Sequence, residues 1–496
     1  MKTYKDYKTH VKKIADVNLS AAVLHWDQEV NMPSMGAAFR AQQLATLSEI
    51  SHGFSVDADY GKLLEQLDVN RNLLKDERRN IELSLKAFRK SQKYTAEFVK
   101  NQSISISEAF QAWNKAKKEN DFSIFQPKLE KLVKLKKEEC ELIGYSEHPY
   151  DALLDQYEPD TKTSDIEKVF EDVKEKLVPF VKKLMNQKQN EDTFMYQDFD
   201  QQKQWDFGID LLKQMGYNFE AGRQDLSSHP FSIHFSPHDV RVTTRIDKDN
   251  LNEMIWSCIH EGGHALYEQG LLKENYGLPL GNAISLGIHE SQSRLWENNV
   301  GRCLPYWEAN FKLLQSYFPN QLKNINVSEF YKAMNVVKPS LIRTNADELT
   351  YHLHILIRFE IEKALIEGSI EVKDLPQIWN EKYKEHLNIE VVSDREGVLQ
   401  DIHWSHGSFG YFPTYSLGSF YATQFYQQAK KEIVDLESFM SKGNMQPLLD
   451  WLRTNIHCHG KRYSAQDLCE KVTGEKLNFD YFLSYVRKKY QSLYNL

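Results

Sequence analysis

The chain contains few cysteines and no pair of them in CxxC spacing. Its 496 residues include five cysteines, which are odd in number and widely separated. This usage indicates neither a disulfide framework nor a cysteine-based zinc site, and it is typical of a protein kept reduced in the cytoplasm. No stretch approaches the roughly 18 apolar residues of a membrane span, and no secretory signal is recognisable. We therefore expect a cytoplasmic protein that does not enter the membrane.

Glycine and proline are also sparse, and neither sign of charge dominates. Residues 62–126 contain no glycine or proline, and charged residues are interleaved there with leucine, isoleucine and phenylalanine, as amphipathic helices require. The 62 basic and 70 acidic side chains give a net charge of -8, which offers no general attraction to nucleic acid. A small molecule or a peptide is the better partner.

The hydrophobic pattern predicts a mostly α-helical protein with one small sheet. Helical spacing recurs from Leu349 to Leu365, and Gly368 follows at the position of a C-terminal cap. Residues 231–246 alternate instead and are rich in β-branched side chains, which predicts short strands. A chain of this length is expected to divide into two or more lobes around a cleft, although the pattern does not mark their boundaries.

Residues 260–264 form an HExxH pattern, on a helix that a capping box at residues 250–253 is expected to open. Side chains four residues apart lie one turn above each other, so His260 and His264 can bind one Zn²⁺ while Glu261 acts as the general base. The two glycines within the motif are unfavourable in a helix by about 1 kcal/mol each. We therefore expect a close neighbour at this face, such as a substrate-bearing strand.

A catalytic zinc also needs a third protein ligand and an open position for water. The nearest cluster of suitable side chains offers His289, Glu290 and Glu297. We choose Glu290, with the other two as alternatives from spacing alone. Arg294, one helical turn after Glu290, could orient it. The zinc-binding helices are therefore expected within residues 250–300.

Five motifs stand in order along the chain, at residues 239–243 (DVRVT), 260–264 (HEGGH), 289–292 (HESQ), 342–347 (IRTNAD) and 397–404 (GVLQDIHW). With HExxH followed by a glutamate on a second helix, the chain resembles the gluzincin metallopeptidases, and the five motifs, which occur in the family's order, identify it as a member of the carboxypeptidase Taq family of metallocarboxypeptidases. Similarity to the family also extends to residues 24–33 and 455–457, so it covers essentially the whole chain.

The resemblance implies a single peptidase unit over residues 1–496. It implies an α-rich fold of two helical lobes with a long substrate groove between them, a small β-sheet beside the zinc helix, and usually a homodimer. It also implies that Glu290, rather than His289 or Glu297, is the third ligand. The implied metal is Zn²⁺, which Co²⁺ can replace.

The implied activity is hydrolysis of the C-terminal peptide bond of peptides with a free C-terminus, with broad specificity and exclusion of C-terminal proline. Zinc lowers the pKa of its water toward about 7, and Glu261 can accept that proton and pass it to the leaving amine. The developing oxyanion needs a further donor, for which Tyr411, Tyr415 and His406 are candidates of equal standing. A zinc endo-oligopeptidase and an inactive peptide-binding scaffold are the alternatives.

A carboxypeptidase must also bind a terminal carboxylate, and the fixed fork of an arginine suits this task. Arg343 is the leading candidate, because the resemblance places its motif at the closed end of the groove. Its alternative role is an ion pair with Asp347. Arg241 is a further candidate for substrate binding, with a structural pair to Asp239 as its alternative.

The motif at residues 397–404 supplies the remaining candidates. For Gln400, Asp401, His403 and Trp404 we expect positions behind the metal-binding imidazoles and at the end of the groove, with Gln400 and His403 binding substrate. Residues 457–459 (HCH) resemble a metal cluster, but i, i+2 spacing directs the two imidazoles away from each other on a strand or a helix. We do not expect a metal there.

Overall fold

A computed structural model describes residues 3–496, and 70% of the structure is helical. The predicted mostly α-helical class is confirmed. The helices in chain order are α1 (Tyr4–Val30), α2 (Ala37–Ser55), α3 (Ala58–Asp68), α4 (Lys75–Ser91), α5 (Ala96–Glu119), α6 (Gln126–Ile143), α7 (Pro149–Leu154), α8 (Thr163–Asp172), α9 (Val178–Met185), α10 (Gln201–Met215), α11 (Leu251–Gln269), α12 (Leu286–Arg294), α13 (Leu304–Tyr317), α14 (Pro319–Leu322), α15 (Val327–Ala333), α16 (Thr350–Glu367), α17 (Leu375–Leu387), α18 (Pro413–Glu432), α19 (Leu436–Ser441), α20 (Gln446–Asn455), α21 (Ala465–Thr473) and α22 (Asp480–Tyr494).

The chain divides into two compact units, each assembled from three separate stretches of sequence. Unit 1 consists of the described residues of Met1–Gln92, Glu191–Met334 and Tyr421–Leu477. Unit 2 consists of Lys93–Asn190, Asn335–Phe420 and Asn478–Leu496. Because each unit is discontinuous, no local change of composition along the chain could mark the boundaries. The single peptidase unit with a groove stays a prediction.

Unit 1 contains a three-stranded sheet of β1 (Gln224–Leu226), β2 (Ser232–Ser236) and β3 (Asp239–Thr244). The strand order is β1–β3–β2, with β3 parallel to β1 and antiparallel to β2. Val240 and Val242 of β3 are buried while Arg241 between them is partly exposed, which is the alternation seen in the sequence. The sheet packs on α11, so the predicted small sheet beside the HExxH helix is confirmed. Strand β1 lies before the predicted range, because three residues are too few to show alternation.

Helix α11 begins after Asn250, whose side-chain oxygen accepts a hydrogen bond from the N–H of Asn252 at 3.1 Å. The expected capping box is wrong. The N–H of Asn250 donates to the carbonyl of Asp247 at 3.3 Å, so Glu253 has no donor to reach. The Glu253 carboxylate lies 4.0 Å from the Arg245 guanidinium instead.

In unit 2, α16 is the central buried helix. It ends at Gly368, which has a φ of +88° and donates its N–H to the carbonyl of Ala364, as the sequence predicted. Buried residues lie on every side of this helix, including Arg358 and Glu362. Such buried polar groups need partners inside the fold, and their partners here include the candidate residues Asp401 and Trp404.

Among the described residues, none of the helices combines the length and the apolar composition needed to cross a lipid bilayer.

Candidate active site

Three side chains of unit 1 converge on one point. His260 and His264 project from α11 and Glu290 from α12, and one ligand atom of each lies within 4.8 Å of the others. Glu290 Oε2 is 3.9 Å from His260 Nε2 and 3.5 Å from His264 Nε2. Ligands placed tetrahedrally at 2.0–2.1 Å from a zinc ion are about 3.4 Å apart. The spacing of this donor set therefore fits a single divalent ion.

The hydrogen bonds behind the two imidazoles direct their other nitrogens into the cluster. His260 Nδ1 lies 2.8 Å from Glu297 Oε2, and His264 Nδ1 lies 3.1 Å from the carbonyl of His289. Carboxylate and carbonyl oxygens accept only, so each Nδ1 carries the hydrogen and a neutral ring has a free lone pair at Nε2. Burial lowers the pKa of His264 to about 3, which keeps that ring neutral. The cluster thus has the chemistry of a metal site as well as its spacing.

Arg294 links the ligand carboxylate to the carboxylate behind His260. Its Nε donates to Glu290 Oε1 at 2.6 Å and its Nη1 donates to Glu297 Oε2 at 3.0 Å. Burial raises the pKa of Glu290, but Arg294 and His260 lower it more and hold it well below its ordinary value. Burial also raises the pKa of Glu297, but Arg294 and His260 lower it to about 2. Both carboxylates are therefore ionised at neutral pH.

The groups behind the imidazoles are not those expected from the sequence. The sequence predicts residues 400–404 at this position, but their polar side chains hydrogen-bond other partners. Glu297, considered from spacing alone as a ligand, hydrogen-bonds His260 instead. A glutamate seven residues after Glu290 on the same helical segment lies two turns along the same face, so this contact could have been proposed from the sequence.

Glu261, which follows His260 directly in the motif, is buried. Burial raises the pKa of its carboxyl to about 7, against the lowering effects of His260 and of a hydrogen bond with Ser232 of β2. A carboxylate with a raised pKa is well matched to accept a proton near neutral pH. The general-base role of Glu261 stays a prediction, and the raised pKa is compatible with it.

The two glycines of the motif have a different cause from the one expected. A Cβ on Gly263 would lie 2.6 Å from the Cα of Ser293 and 2.7 Å from the carbonyl oxygen of Gln292, both backbone atoms of α12. A Cβ on Gly262 would lie 2.7 Å from the Leu212 side chain of α10. The expected strand is absent from these contacts. Gly263 instead lets α12 approach α11 closely enough to bring Glu290 to the histidines, while Gly262 makes room for the side chains of α10.

Arg343, the candidate for carboxylate binding, lies in a buried cluster of unit 2. Its Nε donates to Asp401 Oδ1 at 3.0 Å, and its Nη1 donates to the Tyr351 hydroxyl at 2.9 Å. The alternative pair with Asp347 is wrong. The Asp347 carboxylate accepts the N–H groups of residues 349 and 350 at the start of α16 at 2.9 and 3.0 Å, which leaves it committed to that helix end.

Asp401 is shared between two arginines. Arg358, which has no exposed surface, donates from Nε to Asp401 Oδ2 at 2.7 Å, while Arg343 holds the other oxygen. Burial raises the pKa of Asp401, but the two guanidinium groups lower it more and hold it far below its ordinary value. Among the described residues, no other carboxylate makes an ion pair with either arginine. The two guanidinium groups thus share one carboxylate in their ion pairs, and Glu362, one turn after Arg358 on α16, lies close enough for its charge to act on Arg358.

Gln400 and His403 lie beside this cluster. Gln400 Oε1 accepts the N–H of Arg343 at 2.9 Å, and its Nε2 contacts three acceptors, including the carbonyl of Leu341 at 3.0 Å. Its amide is thus occupied in holding the chain at Arg343. Burial and the charge of Arg343 lower the pKa of His403 to about 3, so this ring is neutral, and its Nε2 lies 3.2 Å from the Tyr415 hydroxyl.

The three candidate oxyanion donors belong to the same part of unit 2. The rings of Tyr411 and Tyr415 are 5.2 Å apart, and the Arg343 guanidinium lies 5.0 Å from the Tyr415 ring. The His406 ring packs 5.1 Å from the Phe110 ring. The structure thus brings Tyr411 and Tyr415 together with the arginine cluster.

Arg241 and the 457–459 run occupy structural positions in unit 1. Arg241 donates two hydrogen bonds of 2.9 Å to Asp239, and its guanidinium lies 4.2 Å from the Trp26 ring. His457 is buried and its Nε2 contacts Gln292 Oε1 at 2.9 Å. The arrangement of Arg241 is that of the structural pair considered above, and His457 supports α12 from behind.

An HExxH helix with a glutamate from a following helix is the donor set of a metallopeptidase, and the comparisons with known proteins agree. The family model of carboxypeptidase Taq (M32) metallopeptidases matches residues 6–490. Carboxypeptidase 1 of Bacillus subtilis is 38% identical over 494 residues, which are 99% of each chain. Thermostable carboxypeptidase 1 of Thermus thermophilus is 40% identical over 487 residues, 95% of each chain. The crystal structure of M32 carboxypeptidase from Deinococcus radiodurans R1 matches with a TM-score of 0.98 at 36% identity and covers 99% of each chain.

The chain therefore belongs to the carboxypeptidase Taq (M32) metallopeptidase family. The family resemblance seen in the sequence is confirmed, and so is the enzyme class, which is that of a metallocarboxypeptidase.

Proposed function

We propose that this metallocarboxypeptidase is a zinc enzyme that removes C-terminal residues one at a time from peptides with a free C-terminus. The observation that carries the exopeptidase assignment is that Arg343 and Arg358 share one carboxylate, Asp401, in their ion pairs. A buried guanidinium whose counterion is shared is stabilised further when another anion reaches it. The terminal carboxylate of a peptide is such an anion. Broad side-chain specificity and exclusion of C-terminal proline rest on the family resemblance.

The metal ligands in this proposal are His260, His264 and Glu290. When bound, the divalent metal supplies Lewis-acid activation of water and of the peptide carbonyl. Imidazole and carboxylate donors favour Zn²⁺, and Co²⁺ accepts the same ligands. Glu297 holds the ring of His260 in the orientation that binding requires.

Glu261 is the proposed general base and acid. Its carboxylate accepts a proton from the attacking water and passes it to the amine of the leaving residue. The raised pKa supports both steps, because the protonated form must also be accessible near neutral pH. The burial of Glu261 excludes competing solvent around this transfer.

The oxyanion that forms at the peptide carbonyl requires a donor from the chain besides the metal. The contacts support Tyr411 and Tyr415 for this role, since both rings lie with the arginine cluster. His406 remains the third candidate, although its packing on Phe110 favours a structural role. Arg343 binds the terminal carboxylate, with His403 beside it, while Gln400 positions the Arg343 backbone.

We further propose that the enzyme acts in the cytoplasm as a homodimer on peptide substrates. The homodimer rests on the family resemblance, and light scattering of the purified protein tests it. The cytoplasmic location rests on the cysteines, no two of which form a disulfide.

The experiment that tests the proposed function compares one peptide as a free acid and as its C-terminal amide. Mass spectrometry of the digest should show stepwise loss of C-terminal residues from the acid and little change in the amide, because the amide lacks the charge that Arg343 binds. Internal fragments from both peptides would support the alternative endo-oligopeptidase. No cleavage of either by metal-loaded protein would contradict both.

A further inference from the structure

Glu362 is a fully buried carboxylate on α16 that accepts three hydrogen bonds. Its Oε2 accepts from the Tyr150 hydroxyl at 2.7 Å and from the N–H of Gly410 at 2.9 Å, and its Oε1 accepts from Trp404 Nε1 at 2.9 Å. Among the described residues it makes no ion pair with a lysine or arginine. Three donors aimed at a buried glutamate are a costly arrangement that core packing alone does not require.

Two of these donors delimit one loop of unit 2. Trp404 and Gly410 stand at its two ends, and Tyr411 follows Gly410 directly in the sequence. One helical turn before Glu362, Arg358 binds Asp401. A single face of α16 therefore holds the start and the end of the segment from 401 to 410.

The glycine at the end of this loop shows how closely it is held. Gly410 has a φ of +89°, and a Cβ there would lie 2.8 Å from the backbone carbonyl carbon of Leu153 and 2.9 Å from the nitrogen of Leu154. Both belong to α7, which also supplies Tyr150. The N–H of Gly410 therefore has one fixed position, directly before Tyr411, and Glu362 is the acceptor that meets it.

We propose that Glu362 is a positioning residue for catalysis, which acts through the N–H of Gly410 to hold Tyr411 where it can stabilise the oxyanion. The inference rests on the proposed function in assigning that role to Tyr411. An amide cannot replace the carboxylate, because its NH₂ group would face at least one of the three donors. That donor and the NH₂ group would then both lack an acceptor.

The test uses Glu362→Gln in the metal-loaded enzyme, with Glu360→Gln as the matched control. Glu360 lies on the same helix and contacts Lys382 and His386 instead of the loop. Measurements at pH 8 keep Glu362 ionised, since burial raises its pKa to about 7. We expect Glu362→Gln to lower kcat at least tenfold with KM within threefold, and to speed hydrogen exchange in residues 404–411. The control should change kcat less than threefold.

Coupling to Tyr411 separates positioning from a general loss of stability. In a Tyr411→Phe background, Glu362→Gln should lower kcat by less than threefold, because the group it positions is already gone. An equal tenfold loss in both backgrounds, or a wild-type kcat in Glu362→Gln, would overturn the inference. Wild-type activity of Tyr411→Phe alone would instead remove the proposed role of Tyr411.

A second variant covers the case in which Glu362→Gln does not fold. Trp404→Phe removes the indole N–H donor to Glu362 together with part of the ring volume, and keeps an aromatic ring in the core. It should lower kcat at least threefold with KM within threefold, and a wild-type kcat would overturn the inference.

Discussion

Replacement of Arg343 by alanine tests how the enzyme recognises the end of its substrate. Two buried arginines share one carboxylate in their ion pairs, so Arg343 has no carboxylate to itself. In Arg343→Ala, Asp401 remains paired with Arg358, and the guanidinium proposed to bind the substrate carboxylate is gone. A charge-assisted contact in a water-poor site contributes about 2–4 kcal/mol, which corresponds to about 30-fold to 1,000-fold in kcat/KM.

The assay measures kcat/KM of both enzymes on a free-acid peptide and on its amide. We expect Arg343→Ala to lower kcat/KM on the acid by this full factor. On the amide, kcat/KM should change less than about threefold, because the amide has no terminal charge for Arg343 to bind. Arg395→Ala is the matched control, because it removes an exposed arginine of the same unit that caps α5 through the carbonyls of Lys117 and Lys118. Equal losses on the acid and the amide would refute the reasoning and show that Arg343 supports only the fold around Asp401.

Three further predictions concern the metal cluster. Glu261→Gln should keep the metal and lose at least about 100-fold in turnover. In the wild-type enzyme, kcat/KM should rise with pH as Glu261 loses its proton, with a midpoint at or below about 7, and this rise should be absent from the residual activity of the variant. A variant that loses the metal, or that keeps this rise, contradicts the general-base role. Glu297→Ala should lower the metal affinity by about 10–100-fold, and Glu290→Ala should lower it far more. Equal metal affinities of the two variants in chelator competition would reject Glu290 as a ligand. Gly263→Ala should lower the unfolding free energy by about 1–3 kcal/mol, since its Cβ would lie 2.6 Å from the α12 backbone, while Gly53→Ala, with nothing within 4 Å, should not destabilise; equal thermal denaturation midpoints would contradict this packing argument.

Periodicity and spacing were sufficient for those features that depend on neighbouring residues in the chain. The HExxH pattern places His260 and His264 on one face whatever surrounds the helix, and Gly368 ends α16 because the last turn needs a residue with positive φ. The choice of Glu290 over its two neighbours depended on the family resemblance, because helical spacing alone allows all three.

Contacts between distant segments were the part that the sequence could not determine. Arg343 pairs with Asp401, 58 positions away, instead of the nearby Asp347, because the start of α16 already occupies the Asp347 carboxylate. The glycines of the motif predict a close neighbour, but only the fold identifies that neighbour as α12 for Gly263 and α10 for Gly262. Such pairings follow from which helices pack together, and no local pattern records that choice.

The central claim is that one metal ion, held by His260, His264 and Glu290, is required for the removal of C-terminal residues. The most direct measurement titrates Zn²⁺ into chelator-stripped protein while the rate of release of the C-terminal residue from a free-acid peptide is followed. The account predicts no release without metal and a rate that stops rising at one equivalent per chain. Release by fully stripped protein, or a rate that does not saturate at one equivalent, would contradict it.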